Sequence, residues 1–402
     1  MANRPLQAVT GLDPAHLTSL LAEALAGRGP ALLPIDPGLP PARVDALLTA
    51  MRADRIRSAD GVRSLPGGDG GVADDTALVI ATSGSTGVPK GVELSADALL
   101  HSARASIRRI GAAPDDAWLC VLPTAHISGL QVVLRALVGG TEPVHRAFDP
   151  ADTMAVAAAH RPHVSLVPTQ LHRLLAADAD LSLFGTILLG GAAADEGLLE
   201  RARAAGGRLI TTYGMSETCG GCVYDGVPLD GMRADLDGEG RILLAGPALF
   251  SGYRLDPEHT AAHLLPPAGR RGDERWFRTG DLGRFDEEGR LRVRGRADDM
   301  INTGGHKVVP GEVAALVARH PAVAEAVVVG RADPEWGQRV TAVVVPTDPA
   351  CPPSLDDLRQ WVKSRLPGYA APRELDLRAR IPLLGSGKPD LSALRASSGH
   401  SD

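Results

Sequence analysis

Aromatic side chains make up only 3% of this 402-residue chain. That scarcity predicts a core built from alanine, leucine and valine, and it leaves few platforms on which nucleic-acid bases could stack. Neither sign of charge dominates: Lys+Arg total 42 against Asp+Glu 48, a net charge of -6. A chain with no basic field is not built to bind DNA or RNA as its main task. Cysteine is scarce too, and four in a chain of this length cannot form a disulfide framework. The longest apolar stretches, such as 324–329 and 341–345, fall far short of the roughly 18 residues a membrane span requires. The first residues, Met1 to Pro14, lack the basic region and apolar run of an export signal. Together these absences predict a cytoplasmic protein with no membrane span and no nucleic-acid partner.

What is present is the balance of a globular protein, 44% hydrophobic and 22% charged. At about 150 residues per domain the length predicts two to three domains. Glycine (46) and proline (31) are plentiful but follow no period, which assigns them to turns and ligand loops. Asp13-Pro14 opens an amphipathic helix closed by Gly27, and a second helix is predicted over 41–51. A short apolar strand is predicted at 76–82, and farther along strands at 117–122, 164–167, 186–189 and 208–212 alternate with helices at 129–138, 168–176 and 196–205, the pattern of a parallel α/β sheet. After about Tyr224 short strands at 241–245, 276–278, 283–286 and 291–294 predict a small β-rich subdomain. Beyond Arg296 a compact α+β unit follows.

The strongest local signal is Thr82-Ser83-Gly84-Ser85-Thr86-Gly87-Val88-Pro89-Lys90-Gly91, read as a loop between a strand and a helix capped by Ser95. Glycines let backbone N–H groups approach a phosphate, hydroxyls donate to its oxygens, and Lys90 supplies a point charge. Pro89 before the lysine and Gly91 after it exclude a Walker A loop.

These ten residues resemble the phosphate-loop signature of the adenylate-forming superfamily of acyl-CoA synthetases, adenylation domains and luciferases. Further motifs follow in the family's order. Gly190-Gly191-Ala192-Ala193 resembles the adenine-wall segment, and Thr212-Tyr213-Gly214-Met215-Ser216-Glu217-Thr218 the adenine and magnesium motif. Gly252-Tyr253 with Pro257-Glu258 and Thr260, then Thr279-Gly280-Asp281, Gly295-Arg296-Ala297-Asp298, Gly304-Gly305-His306-Lys307 and Gly385-Ser386-Gly387-Lys388, extend the match to residue 388. The resemblance implies a large N-terminal α/β domain (1–297) for ATP and the acyl group, then a small mobile α+β lid (298–402) hinged near Asp298. It implies ATP and CoA as co-substrates and Mg2+ on Glu217, a hard carboxylate suited to that ion. It further implies Tyr213 against adenine, Asp281 and Arg296 on the ribose and phosphates, Lys388 entering for adenylation, and a CoA channel at Gly304, Gly305 and Lys307.

The acid is to be read from Leu122-Pro123-Thr124-Ala125-His126-Ile127-Ser128-Gly129 and Val164-Ser165-Leu166-Val167-Pro168-Thr169-Gln170. Within the superfamily these runs resemble the o-succinylbenzoate–CoA ligases of menaquinone (vitamin K2) synthesis, although Ala125 is small where relatives often carry an aromatic. That likeness assigns His126, Ser128, Gly129, Thr169, Gly214 and Thr218 to the acyl pocket. His126 either holds a carboxylate or packs against the pocket wall. Only about 80 residues precede the phosphate loop, which resembles compact forms of these ligases and leaves the oligomeric interface open, a homodimer included. Two other readings stand beside this one: a CoA ligase for another aryl or medium-size acid, and a catalytically silent nucleotide-binding interaction protein. Cys219-Gly220-Gly221-Cys222 has redox-motif spacing, but the preferred reading is two small residues lining the acyl pocket rather than a thiol pair or metal site.

Overall fold

The computed structural model describes residues 4–67, 70–83, 89–192, 196–266, 274–383 and 389–396. The chain divides into two compact units. The first comprises Met1–Gly191, Ala202–Ala234 and Leu243–Arg278; the second comprises Ala192–Arg201, Asp235–Ile242 and Thr279–Asp402.

The first unit holds two seven-stranded sheets. In one, Leu6–Val9 lies parallel to Ala31–Pro34 and to Arg55–Ser58, and Ala31–Pro34 pairs in parallel with Thr76–Ser83. Antiparallel strands close both edges: Gly61–Ser64 on one side, Pro89–Ser95 and then Gly252–Tyr253 on the other. In the second sheet the neighbours Val144–His145, Trp118–Cys120, His163–Leu166, Thr186–Leu189 and Leu209–Met215 run parallel. The antiparallel strands Gly220–Tyr224 and Val227–Pro228 extend it. The parallel sheet read from the sequence is thus the centre of a mixed architecture.

Local chemistry sets the helices. Asp13 accepts from the His16 N–H at 2.9 Å and Pro14 occupies the first turn, so the helix Pro14–Leu25 starts where both residue types favour a start. Ser95 caps Ala96–Ile110 in the same way. Leu17, Leu21, Leu99, Leu130, Val133 and Leu134 then meet Leu78, Ile80 and Val92 from the sheet in one buried core. One expectation fails here. The phosphate-loop motif does not lead into a helix: the strand Pro89–Ser95 intervenes and pairs back on Thr76–Ser83. Pro89 and Gly91 read as turn residues, yet Pro89 is the first residue of the strand, where proline is tolerated, and Val92 and Leu94 bury fully in alternation.

In the second unit, Asp281–Phe285 pairs with the strand Leu291–Arg296. A further sheet has Val323–Asp333 antiparallel to Gly337–Pro346, which lies parallel to Glu374–Leu377. The helices Pro310–Val317 and Leu355–Lys363 bury Val313, Val317, Leu358 and Val362 against it. Arg331, buried in this sheet, is satisfied by Glu374 at 2.5 Å and Asp376 at 2.5 Å.

Candidate functional site

The parallel strands of the second sheet all deliver their carboxyl ends to one edge of the first unit. Trp118–Cys120 leads to 121–126, His163–Leu166 to 167–169, Thr186–Leu189 to 190–192, and Leu209–Met215 runs into the turn Ser216–Thr218. Ligands of open α/β sheets bind at this edge, because loops of variable chemistry and helix amino ends gather there. Thus His126, Ser128 and Gly129, Thr169, Gly191 and Ala192, and Tyr213 to Thr218 share one end of one sheet.

Each of these segments is held for an identifiable reason. His126 is the residue preceding the helix Ile127–Gly139, its backbone N–H donating to Pro123 O at 3.2 Å. Gly129 is obligatory there, since a methyl group would strike the carbonyl oxygens of Leu122 and Pro123. Ser128 is exposed, whereas His126 and Thr169 are half-buried. Gln170 Oε1 accepts from the Val167 N–H at 3.1 Å, which fixes the bend before Thr169. Gly191 has φ +82 and, with Ala192, is exposed. Gly214 lies in a strand pair so tight that a Cβ would overlap the Gly220 carbonyl. The Thr218 hydroxyl is fully buried and lies 3.0 Å from the Met215 N–H and 2.7 Å from Gly220 O, so it holds the turn that carries Glu217.

Glu217 is oriented through its own backbone and its side chain. Its carbonyl accepts from the Phe250 N–H at 2.9 Å, and its Oε1 accepts from the Tyr253 hydroxyl at 2.9 Å. Tyr253 is itself placed by the strand Gly252–Tyr253, which pairs with Val92 and Glu93 of the lysine-bearing strand. The next residue, Arg254, is buried and donates to Glu93 Oε1 at 3.1 Å. Lys90 sits opposite Thr82 in the strand pair, and its Nζ lies 3.0 Å from His259 Nε2. Sequence reasoning noted Tyr253 only as part of a family segment and missed His259. The available signal was the helix start at Asp256-Pro257, which puts His259 on its first turn.

Gly84, Ser85, Thr86, Gly87 and Lys388 lie outside the described residues, as does the side chain of Ser83. In the second unit, Asp281 and Arg296 face each other in register on paired strands. Arg296 Nη2 lies 4.0 Å from Asp298 Oδ2, both side chains being exposed. Gly304 and Gly305, at φ +54 and +79, form the two-residue turn between Ile301–Thr303 and His306–Val308, and Lys307 is exposed. A methyl on Gly304 would press into the Trp336 ring.

The cysteines are free. Cys219 and Cys222 are fully buried, Cys219 inside the main core. Burial pushes both thiols up, Cys222 to about 12. Among the described residues no group of three or more His, Cys, Asp or Glu could hold a metal by itself. The donor set that does exist, a lone carboxylate with one oxygen held by a phenol, suits Mg2+, which retains waters and takes its other ligands from nucleotide phosphates. Among the described residues no helix is long and apolar enough to cross a membrane.

This arrangement is that of an adenylate-forming enzyme, and the comparisons agree. Residues 66–254 match the AMP-binding enzyme family and residues 312–388 its C-terminal domain, so the chain belongs to the AMP-binding enzyme family. Over 99% of its length it is 39% identical to a probable 2-succinylbenzoate–CoA ligase of Mycobacterium tuberculosis, the whole of which it covers. It is 35% identical, over 78% of its length and 68% of the relative's, to a feruloyl-CoA synthase of an Amycolatopsis species. Among solved structures it is similar to the o-succinylbenzoate CoA synthetase (MenE) of Bacillus subtilis in complex with the acyl-adenylate intermediate OSB-AMP. That match has a TM-score of 0.82 and 26% identity, covering 100% of this chain and 90% of the other. The same enzyme is known in complex with ATP and a magnesium ion.

Proposed function

We propose that the chain is an AMP-forming acid–CoA ligase that converts o-succinylbenzoate, ATP and CoA to o-succinylbenzoyl-CoA, AMP and pyrophosphate, a step of menaquinone biosynthesis. The observation that carries the reading is the gathering of Gly191, Tyr213 to Glu217, His126 and Thr169 at one sheet edge, in a chain matching a named 2-succinylbenzoate–CoA ligase end to end.

In the first half-reaction a substrate carboxylate oxygen attacks the α-phosphorus of ATP. A C–O–P bridge forms, the bond to the β-phosphate breaks, and pyrophosphate leaves. Two anions approach one another, so cations must be positioned before they meet. Lys90 supplies one on the rigid strand pair, and Lys388 supplies another. Thr82, Ser83, Gly84, Ser85, Thr86 and Gly87 donate to phosphate oxygens. Tyr213, Gly191, Ala192, Gly214, Met215 and Ser216 line the adenine, Asp281 accepts from the ribose hydroxyls, and Arg296 donates to ribose or phosphate. Glu217 would hold Mg2+, which when bound neutralises the pyrophosphate charge. His126, Ser128, Gly129, Thr169, Gly214 and Thr218 shape the acyl site.

In the second half-reaction the CoA thiol loses its proton and its sulfur attacks the acyl carbonyl. A thioester forms and AMP departs with the bonding electrons. Residues 298–402 act as a lid turning about Asp298, and Gly304, Gly305 and Lys307 then admit the pantetheine arm.

The test is a coupled assay of o-succinylbenzoate, ATP and CoA beside ferulate. The reading expects a kcat/KM for o-succinylbenzoate at least tenfold higher. A preference for ferulate, which the Amycolatopsis relative would favour, would replace the acid and keep the reaction. No pyrophosphate release with any acid would remove both.

A further inference from the structure

Lys90 and His259 are 169 residues apart in sequence, yet Lys90 Nζ and His259 Nε2 are 3.0 Å apart. An ammonium carries only donors, so the imidazole nitrogen facing it must be the acceptor, and the ring proton then sits on Nδ1. The surroundings keep that ring neutral. Burial pushes the His259 pKa down, and His263 and the Lys90 charge push it further, against a smaller opposing pull from Asp256. The ring is also flanked by two others, its centroid 4.4 Å from that of Tyr253 and 4.2 Å from that of His263, tilted at 46° and 47° to them. Its backbone is fixed in turn, since the His259 N–H donates to Asp256 Oδ1 at 2.9 Å. An imidazole so constrained has one orientation to offer.

We propose that His259 is a positioning residue for Lys90: the neutral Nε2 accepts from the ammonium and fixes it before the nucleotide arrives. This rests on the reading of Lys90 as a ligand of ATP phosphate. A lysine side chain left unrestrained must lose its rotamer freedom when it meets a phosphate, whereas one already hydrogen-bonded has lost most of it. One donor of the three engages His259, and the other two are available to phosphate oxygens. His259 itself touches no substrate atom in this scheme. Its contribution is to nucleotide affinity rather than to the chemical step.

The experiment is a double-mutant cycle on the full chain, with the Kd for Mg-ATP measured by calorimetry and steady-state KM and kcat measured beside it. His259→Ala is expected to raise Kd and KM for ATP about fivefold, the size of one modest hydrogen bond, with a smaller change in kcat. His259→Gln, which restores an acceptor, should recover much of the affinity, and it serves as the test variant if the alanine form does not fold. In a Lys90→Ala background the same change should add almost nothing. An equal loss in both backgrounds, or an unchanged Kd in His259→Ala while Lys90→Ala weakens binding, would overturn the positioning role and leave the ligase reading intact. If Lys90→Ala alone leaves ATP affinity unchanged, the nucleotide role of Lys90 falls, and the positioning role with it. Nitrogen-15 spectra of the imidazole give an independent readout: the Nδ1–H tautomer is expected, and the Nε2–H tautomer would contradict the geometry.

Discussion

The Tyr253 hydroxyl donates to Glu217 Oε1 at 2.9 Å, and the backbone of the same tyrosine pairs with Val92, two residues beyond Lys90. One short strand therefore links the carboxylate assigned to Mg2+ with the strand that carries the phosphate lysine. Removing that hydroxyl leaves the ring, which packs edge-on against Phe250 with centroids 4.9 Å apart, in place. Tyr253→Phe should lower the melting temperature by no more than about 6 °C, since in a chain of this size each kcal/mol lost moves it by only about 1–2 °C. A hydrogen bond to a charged group is worth roughly 1.5–3 kcal/mol. Pyrophosphate release should accordingly fall about tenfold and require more Mg2+ for half-saturation, measured by titrating the metal at fixed ATP.

Lys388 and Gly304 should separate the two half-reactions. Lys388→Ala is expected to abolish acyl-adenylate formation while thioesterification of supplied acyl-AMP continues. Gly304→Ala should do the reverse, because its left-handed φ and the Trp336 ring resist a methyl group. Single-turnover assays of each half-reaction decide this, and equal losses in both steps would reject the division of labour.

Gly214 tests the sheet edge itself. A Cβ there collides with the Gly220 backbone, which cannot swing aside as a flexible side chain could. Gly214→Ala should lower stability by about 1–3 kcal/mol, the usual cost of overpacking, and reduce ATP binding with it. Chemical denaturation and a nucleotide titration read the two effects.

Acid should loosen the second unit by a defined route. Burial pushes Glu374 and Asp376 up, but donors from Arg339 and Arg331 to Glu374, and from Arg378 and Arg331 to Asp376, outweigh it and hold both carboxyls below their ordinary range. Depressed folded-state values mean that this stabilisation is complete only above about pH 5, beyond the unfolded values, and is lost as pH falls through the folded values. Arg331→Met should move the acid midpoint, followed by circular dichroism, to higher pH.

Thiol labelling should be sharply selective. Cys120, Cys219 and Cys222 are buried, with burial pushing Cys120 to about 11, whereas Cys351 is exposed. An aromatic disulfide reagent should titrate one thiol in the native protein and four in denaturant. Rapid native reaction of a second thiol would reopen a redox role for Cys219 and Cys222.

Elements that announce themselves locally were legible in the sequence. Pro41–Met51 and Pro168–Ala176 begin on prolines and run at helical spacing, and both occur with the bounds expected. Pro150–His160 escaped, despite its Asp149 cap, because an alanine-rich helix with only Thr153 and Ala157 buried has little periodicity to detect. Pro89–Ser95 escaped because its first residues carry turn chemistry and its alternation spans few positions. The motif residues were legible by type and order, since each reaction role demands a particular side chain. The contacts that orient them were not: Lys90 with His259, and Glu217 with Tyr253, join residues 169 and 36 positions apart, which no local pattern encodes.

The central claim is that the acid is activated by forming a bond from its own carboxylate oxygen to the α-phosphorus of ATP. The most direct measurement uses o-succinylbenzoate labelled with oxygen-18 in both carboxylates, turned over with ATP and CoA, followed by mass spectrometry of the phosphorus products. One labelled oxygen should appear in AMP and none in pyrophosphate. Label in inorganic phosphate or pyrophosphate, or unlabelled AMP alongside formed thioester, would contradict the acyl-adenylate route.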